Sequence, residues 1–72
     1  MYRRYQLQLN NLTTVELERL IDLWIRNSRN REITKDKLIN GISFEALAEK
    51  YNLSVRQIKY IVYKSEDVIF NK

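Results

Sequence analysis

Apolar residues recur along the chain at the spacing of α-helices, with polar residues between them. The first such stripe has steps of three and four residues and consists of Leu17, Leu20, Ile21 and Trp24. Thr13 precedes the stripe, and Glu16 stands where it can complete a capping box with Thr13. The pattern predicts a helix that starts after Thr13 and buries the whole stripe in the core.

A second helix is predicted over residues 31–40, where apolar residues again fall on one side of a helix. Its buried residues are expected to be Ile33, Leu38 and Ile39. Gly41 follows directly and is the only glycine of the chain. Glycine readily adopts the positive φ with which many helices end, so Gly41 is expected to stop this helix.

The third and fourth helices are predicted over residues 44–50 and from 55 to about 64 or beyond. Ser43 is the expected N-cap of the third helix. Ser54 is the expected N-cap of the fourth, and Gln57 follows it by three residues, which is the spacing of a second capping box. The connections between all of these helices are short.

The last two helices together have the pattern of a helix-turn-helix at residues 43–64. Leu47 and Ile58 supply apolar residues to the two faces that meet. Ala48 is small at the point where the second helix must pass over the first, so a larger side chain there would push the pair apart. Asn52 lies in the turn, where asparagine tolerates positive φ better than most residues.

The two ends of the chain are also partly apolar. In the first segment three residues alternate with polar ones, as in a half-buried strand, and they are Tyr5, Leu7 and Leu9. Their candidate partner is the segment 68–70, and the alternative is a loosely ordered arm. The predicted fold is therefore all-α, with an arm at 1–12, a helical domain of about four helices at 13–72 and, if the ends pair, short strands at the termini.

The composition excludes several kinds of chemistry. The 72 residues make one domain with a small core, so packing against a second copy or a partner is expected. Cysteine and histidine are absent, which excludes the usual structural zinc site and thiol or histidine catalysis. A single glycine cannot build a phosphate-cradling loop. We expect a protein that is not an enzyme and uses no metal or cofactor.

The charges indicate a polyanionic partner more through their distribution than through their sum. Thirteen basic and nine acidic residues give a net charge of +4. From residue 51 to residue 65 the chain carries Arg56, Lys59 and Lys64 but no acid, while a second basic run lies at 26–31. Such segregation is expected of a face that follows DNA phosphates. The run at 26–31 either braces the DNA backbone or is simply solvated.

The sequence from Arg31 to Lys64 resembles the fourth region of bacterial sigma factors and the small phage and mobile-element regulators built on it. The parts that carry the resemblance are LINGIS at a helix end, EALAEKYNLS with its alanine, and SVRQIKYIV. In that family the last helix enters the major groove of DNA. The chain is too short to add the domain with which full sigma factors open a promoter. The resemblance therefore implies a stand-alone DNA reader or an accessory to transcription, closest in style to small regulators of Gram-positive phages.

If the fourth helix lies in the major groove, its outward positions and N-cap are the candidate DNA-binding residues. They are Ser54, Arg56, Gln57, Lys59, Tyr60, Tyr63 and Lys64. Arg56 lies in the first turn, where recognition helices meet base edges, and its guanidinium can pair bidentately with guanine. Lys59 and Lys64 suit phosphates, which position a protein without reading sequence.

The other candidates have two readings each. Gln57 pairs with adenine or completes the capping box of the fourth helix. Tyr60 and Tyr63 contact a thymine methyl or a phosphate, or cover the edge of the core, and the core is favoured for Tyr63. Ser54 and Ser43 donate to phosphates or act only as caps.

Two functional hypotheses follow. The first is a sequence-specific transcriptional regulator of phage or mobile-element type, with double-stranded DNA as its partner and residues 55–64 as its recognition helix. Because one helix reads few base pairs, a homodimer or a complex with a repressor or RNA polymerase component is expected, with the apolar chain ends as the dimer surface. The alternative is a protein-binding modulator, such as an antirepressor or an inhibitor of a host or phage factor.

The sequence also predicts a location. No apolar run approaches the roughly 20 residues that span a bilayer. The polar start MYRRYQLQLNN does not have the pattern of a secretory signal. We therefore expect no membrane partner and a place in the bacterial host cytoplasm.

Overall fold

The computed structural model describes residues 12–70, which form four helices. They are α1, Thr14–Trp24; α2, Ser28–Leu38; α3, Phe44–Tyr51; and α4, Val55–Phe70. The predicted all-α class is confirmed. Residues 68–70 form the last turn of α4, so their prediction as a strand was wrong, and the described residues contain no strand. The predicted partner segment around residues 5–9 lies outside the described residues.

Side-chain caps set the starts of the first two helices. Thr13 and Glu16 form the predicted capping box, in which the Thr13 N–H donates to Glu16 Oε1 at 2.9 Å and the Glu16 N–H donates to Thr13 Oγ1 at 3.1 Å. The helix α2 begins three residues earlier than predicted. The reason is Asn27, whose side-chain oxygen accepts from the Asn30 N–H at 3.0 Å and so acts as an N-cap.

The end of α2 also lies earlier than predicted, at Leu38 instead of residue 40. Gly41 has the positive φ expected of it, 70°, but it lies in the connection beyond the helix. Across this turn the Ile42 N–H donates to the Asp36 carbonyl at 3.1 Å. The prediction that Gly41 stops this helix was therefore wrong: the C-cap is Ile39, and the positive φ of Gly41 serves the turn that follows.

The turn between α3 and α4 has the predicted backbone. Ser43 caps α3, accepting from the Ala46 N–H at 3.1 Å. Asn52 has φ 56° and ψ 47°, in the left-handed region, and the Leu53 N–H donates to the Ala48 carbonyl at 2.9 Å. These contacts close α3 and turn the chain directly into α4.

The core consists of two apolar clusters joined by α4. The first lies between α2, α3 and the start of α4 and is built on Ile33, Leu47, Ile58, Ile61 and Val62. The second lies between α1 and the end of α4 and is built on Leu17, Ile21, Ile25 and Ile69. Of the C-terminal apolar residues, Ile69 is only 4% exposed and belongs to this core, whereas Val68 is 40% exposed.

One residue of the predicted first stripe is not in the core. Trp24 is 43% exposed, whereas Ile25 is only 6% exposed and packs in the second cluster. The physical reason is that α1 ends at Trp24 and the next residue leaves the helix with an extended backbone, φ −100° and ψ 107°. The helical period no longer applies there, so Ile25 turns inward in place of the tryptophan.

A buried carboxylate ties α2 to α3. Asp36 Oδ2 accepts from Tyr51 Oη at 2.7 Å and from Lys50 Nζ at 2.8 Å, and Asp36 Oδ1 accepts from Asn40 Nδ2 at 3.3 Å. Burial alone would raise the pKa of Asp36, but the hydrogen bonds from Lys50 and Tyr51 outweigh it and hold that pKa below its ordinary value. The charged form of Asp36 is therefore part of the folded structure.

The packing of α3 against α4 can be tested with two alanines of the same helix. Ala48 is half-buried against the first cluster, while Ala46 is exposed. We expect Ala48→Leu to lower the free energy of unfolding by about 1 to 3 kcal/mol, because the added atoms overfill the contact with α4. Ala46→Leu should change it by less than about 0.5 kcal/mol. Equal melting temperatures in thermal denaturation would contradict the assigned packing.

The Asp36 network predicts acid sensitivity. Because the folded pKa of Asp36 lies below its ordinary value of 3.8, its contribution is complete above that pH and is lost as pH falls through the folded pKa. We expect Asp36→Asn to cost about 1 to 3 kcal/mol at neutral pH, and the difference from the parent chain to shrink in acid. Urea denaturation across pH measures both. Asp22→Asn, at an exposed carboxylate, is the control and should cost less than about 1 kcal/mol at any pH.

Candidate nucleic-acid interface

The helix α4 separates its buried and exposed residues by the helical period. Ile58 and Val62 are fully buried, while Arg56, Tyr60 and Lys64 lie on the opposite side at steps of four residues and are exposed. Their side chains therefore project from one exposed ridge of the helix. The ridge contains no acidic residue between its first and last members.

Two of the predicted DNA-binding residues form the capping box of α4. The Ser54 N–H donates to Gln57 Oε1 at 2.9 Å, and the Gln57 N–H donates to Ser54 Oγ at 3.1 Å. These bonds occupy the Ser54 hydroxyl and the Gln57 carbonyl oxygen. Gln57 thus makes the hydrogen bonds of the cap, one of its two predicted readings. Arg56 is the exposed basic side chain of the first turn.

Tyr63 lies on the side of α4 that faces α3. Its ring is half-buried against Phe44, with ring centroids 5.9 Å apart and planes at 75°. This edge-to-face contact belongs to the first apolar cluster. Tyr63 therefore covers the edge of the core, which is the reading favoured from the sequence. The tyrosine on the exposed ridge is Tyr60, which is 64% exposed.

The ring of Phe44 also contacts the ammonium groups of two lysines. Lys37 Nζ lies 4.3 Å and Lys59 Nζ 5.5 Å from the centre of the Phe44 ring, within the range of cation–π attraction. Sequence reasoning included Lys59 as a phosphate contact but missed Lys37. The sequence carries no signal for it, because Lys37 reaches this place only through the packing of α2 beside α4.

On the other side of the ridge, the start of α2 faces α4 across an open groove of about 410 Å³. Arg29 and Asn30 of α2 line it together with Arg56 and Tyr60 of α4. The basic run at 26–31 is therefore divided: Arg29 lies beside the ridge, whereas Arg31 turns back toward α1. 

The orientation of Arg31 follows from its partners on α1 and the segment after it. Its Nη1 donates to the Ile25 carbonyl at 3.1 Å, and its Nε lies 3.9 Å from Asp22 Oδ1. Lys35 Nζ lies 2.7 Å from the same carboxylate oxygen. Asp22 thus holds two of the basic residues on the far side of α2, away from the exposed ridge of α4.

The basic residues around the ridge have no such partners among the described residues. Among residues 12–70 no ion pair joins an acid to any of Arg29, Lys37, Arg56, Lys59 and Lys64. Within the described part of the chain, no carboxylate therefore neutralises these five cations through an ion pair. An anionic partner could therefore bind here without first displacing an internal ion pair.

Comparison of the chain with protein-family models, curated proteins and solved structures gave no match. Among residues 12–70, no three histidine, cysteine, aspartate or glutamate side chains are grouped so that they could hold a metal ion. None of the described helices combines the length and the apolar character needed to cross a bilayer.

The different positions of two tyrosines of α4 give a direct test of this geometry. We expect Tyr63→Ala to lower the free energy of unfolding by about 1.5 to 3 kcal/mol, since it removes a half-buried ring from the first cluster. Tyr60→Ala, on the exposed ridge, should change it by less than about 0.5 kcal/mol. Chemical denaturation of the two variants measures both values. A large loss for Tyr60→Ala would contradict the assignment of the ridge as a surface.

Proposed function

We propose that this chain is a sequence-specific DNA-binding transcriptional regulator of phage or mobile-element type, with residues 55–64 of α4 in the major groove. The observation that carries the proposal is the exposed ridge of α4, whose basic residues lack acidic partners among the described residues. An α-helix with side chains is about 10 to 12 Å wide and the major groove about 12 Å, so the two fit.

The expected roles follow from position. Arg56 is exposed in the first turn of α4 and reads a base edge, with guanine as the preferred bidentate partner. Lys59 and Lys64 contact phosphates, which set the position of the helix along the duplex. Lys37 and Arg29 lie on opposite sides of α4 and are placed to contact the two backbones that border the groove.

The remaining candidates have supporting roles. Tyr60 is exposed on the ridge and offers a ring edge to a thymine methyl and a hydroxyl to a phosphate. Ser54 and Gln57 contribute by fixing the first turn of α4, through the capping box, in the orientation in which Arg56 projects. The chain needs no cofactor or catalytic group for this function.

Useful specificity requires more than one such helix. A single recognition helix contacts only a few base pairs, so regulators of this size act as dimers on paired half-sites or within larger complexes. The proposed partners are therefore duplex DNA and either a second copy of the chain, a repressor or a component of RNA polymerase. The proposed location is the cytoplasm of a bacterial host.

The first test is selection of bound duplexes from a random DNA pool at near-physiological salt, followed by sequencing. We expect an enriched motif, because the ridge offers side chains for base readout, and an inverted repeat within the motif if the chain binds as a dimer. No enrichment by the folded protein would contradict the proposal and favour a protein partner for the same ridge.

Variants at Arg56 separate base readout from charge. Arg56→Ala should weaken binding to the selected site by about 1 to 3 kcal/mol and relax the preference at one position. Arg56→Lys keeps the charge but loses the planar fork, so it should relax the preference while binding random DNA nearly as before. The control is Arg19→Ala on the exposed side of α1. Loss of affinity without altered preference would make Arg56 a phosphate contact.

A further inference from the structure

The groove beside α4 extends beyond the proposed recognition surface. A second hollow of about 250 Å³, lined by Trp24, Lys64 and Val68, shares Tyr60 and Ile61 with the hollow near Arg56. Both hollows lie between α4 and the segment 24–30, and the surface that they line together is called here the flank groove. From residue 56 to residue 68 it follows α4 for about 18 Å, at 1.5 Å per residue.

The lower half of the flank groove is apolar and accessible. Trp24 is 43% and Val68 40% exposed, and both face the same hollow as Ile61. A tryptophan and an aliphatic side chain exposed together in a concave site are typical of a surface that binds an apolar group of a partner. Neither residue belongs to the ridge that we assign to DNA.

The border of the same groove is basic. Arg26 and Lys64 line its lower part, and Arg29 and Arg56 line its upper part, while no acidic residue between 12 and 70 lines either part. A complementary occupant therefore carries carboxylates along its edges and apolar side chains toward Trp24 and Val68. An amphipathic helix with acidic flanks has both features, and docking of a helix into such a groove is a common recognition mode.

We propose that the flank groove binds an acidic, amphipathic helical segment of a partner protein. Its apolar side chains pack against Trp24, Ile61 and Val68, and its carboxylates pair with Arg26 and Lys64. The apolar half of the groove favours this occupant over duplex DNA, because the backbone of a duplex would place sugars and phosphates, and no apolar side chains, against Trp24 and Val68. Because Arg56, Tyr60 and Lys64 also line this groove, binding of the segment competes with the proposed binding of DNA, and the site would let a second protein regulate this one.

The test begins with selection from a displayed library of random peptides about 16 residues long, roughly 24 Å as a helix. The folded full chain is the target. We expect enriched peptides with apolar residues at helical spacing and acidic residues beside them. A synthetic peptide of the enriched sequence is then titrated by calorimetry and by emission of Trp24, which is the only tryptophan of the chain. The same peptide with its residues scrambled is the peptide control.

Two matched variants locate the site. Val68→Glu places a carboxylate in the flank groove, whereas Val15→Glu makes the same change at an exposed valine of α1, 64% exposed and outside the groove. We expect Val68→Glu to weaken the selected peptide roughly tenfold or more, through like charge and lost apolar contact, and Val15→Glu to leave it nearly unchanged. Val68→Ser removes the apolar contact without adding a carboxylate one helical turn from Lys64. It should weaken the selected peptide and bind DNA as the parent chain does, which distinguishes failure of this proposal from failure of the DNA-binding proposal.

Several outcomes would overturn the proposal. They include no enrichment by the folded chain, enrichment of peptides without acidic residues, equal binding of the scrambled peptide, and equal effects of the two glutamate variants. Two further results would assign the groove to another occupant. One is binding of a single-stranded oligothymidine that Val68→Glu abolishes, and the other is self-association that Val68→Glu abolishes, measured by sedimentation.

Discussion

The burial of one face of α4 is the interaction on which the rest of the structure depends. This helix is the longest of the four and packs against each of the others. Its first half closes the cluster with α2 and α3, and its last turn, through Ile69, closes the cluster with α1. A domain this small has little other apolar surface to bury. The position of α4, and hence of everything on its exposed side, is therefore fixed by the whole core.

Polar contacts supplement this core where apolar ones cannot. Asp36 is buried between α2 and α3, and Tyr51 and Lys50 both donate to it. Because a buried carboxylate is costly without such partners, the network favours one relative position of the two helices over alternatives that apolar packing alone would allow. Both α2 and α3 pack against α4. The Asp36 network therefore contributes to the orientation of the exposed ridge, although none of its residues lies on the ridge.

Much of the fold follows from local sequence patterns, and the departures have local or tertiary causes. Capping boxes predicted the starts of α1 and α4 because they depend on residues only three positions apart. The predicted start of α2 was three residues too late because the helix is capped by Asn27, a cap that the predicted pattern did not include. Trp24 was misplaced because α1 ends there, which the apolar period cannot indicate.

The candidate site was less predictable than the fold. The period of α4 indicated which residues face outward, so Arg56, Tyr60 and Lys64 were found on the exposed side. Two features of the site form where different helices pack together: the contact of Lys37 with the Phe44 ring, and the flank groove. The spacing of residues along one helix does not indicate which residues of another helix will lie beside it. For Gln57 the sequence allowed two roles, helix capping and a contact to adenine. The geometry of the turn was needed to show that it caps α4.

The left-handed backbone conformation of Asn52 affects how a domain with this fold can evolve. The helix α3 ends at Asn52, and α4 begins at the capping box of Ser54. The rotation of α4 about its own axis is therefore set by the backbone of this turn and by the buried face of the helix. The exposed ridge residues Arg56, Tyr60 and Lys64 belong neither to that capping box nor to the buried face. Substitutions there can accumulate without disturbing the scaffold, so lineages carrying this architecture can acquire new ligand preferences while folding remains constant.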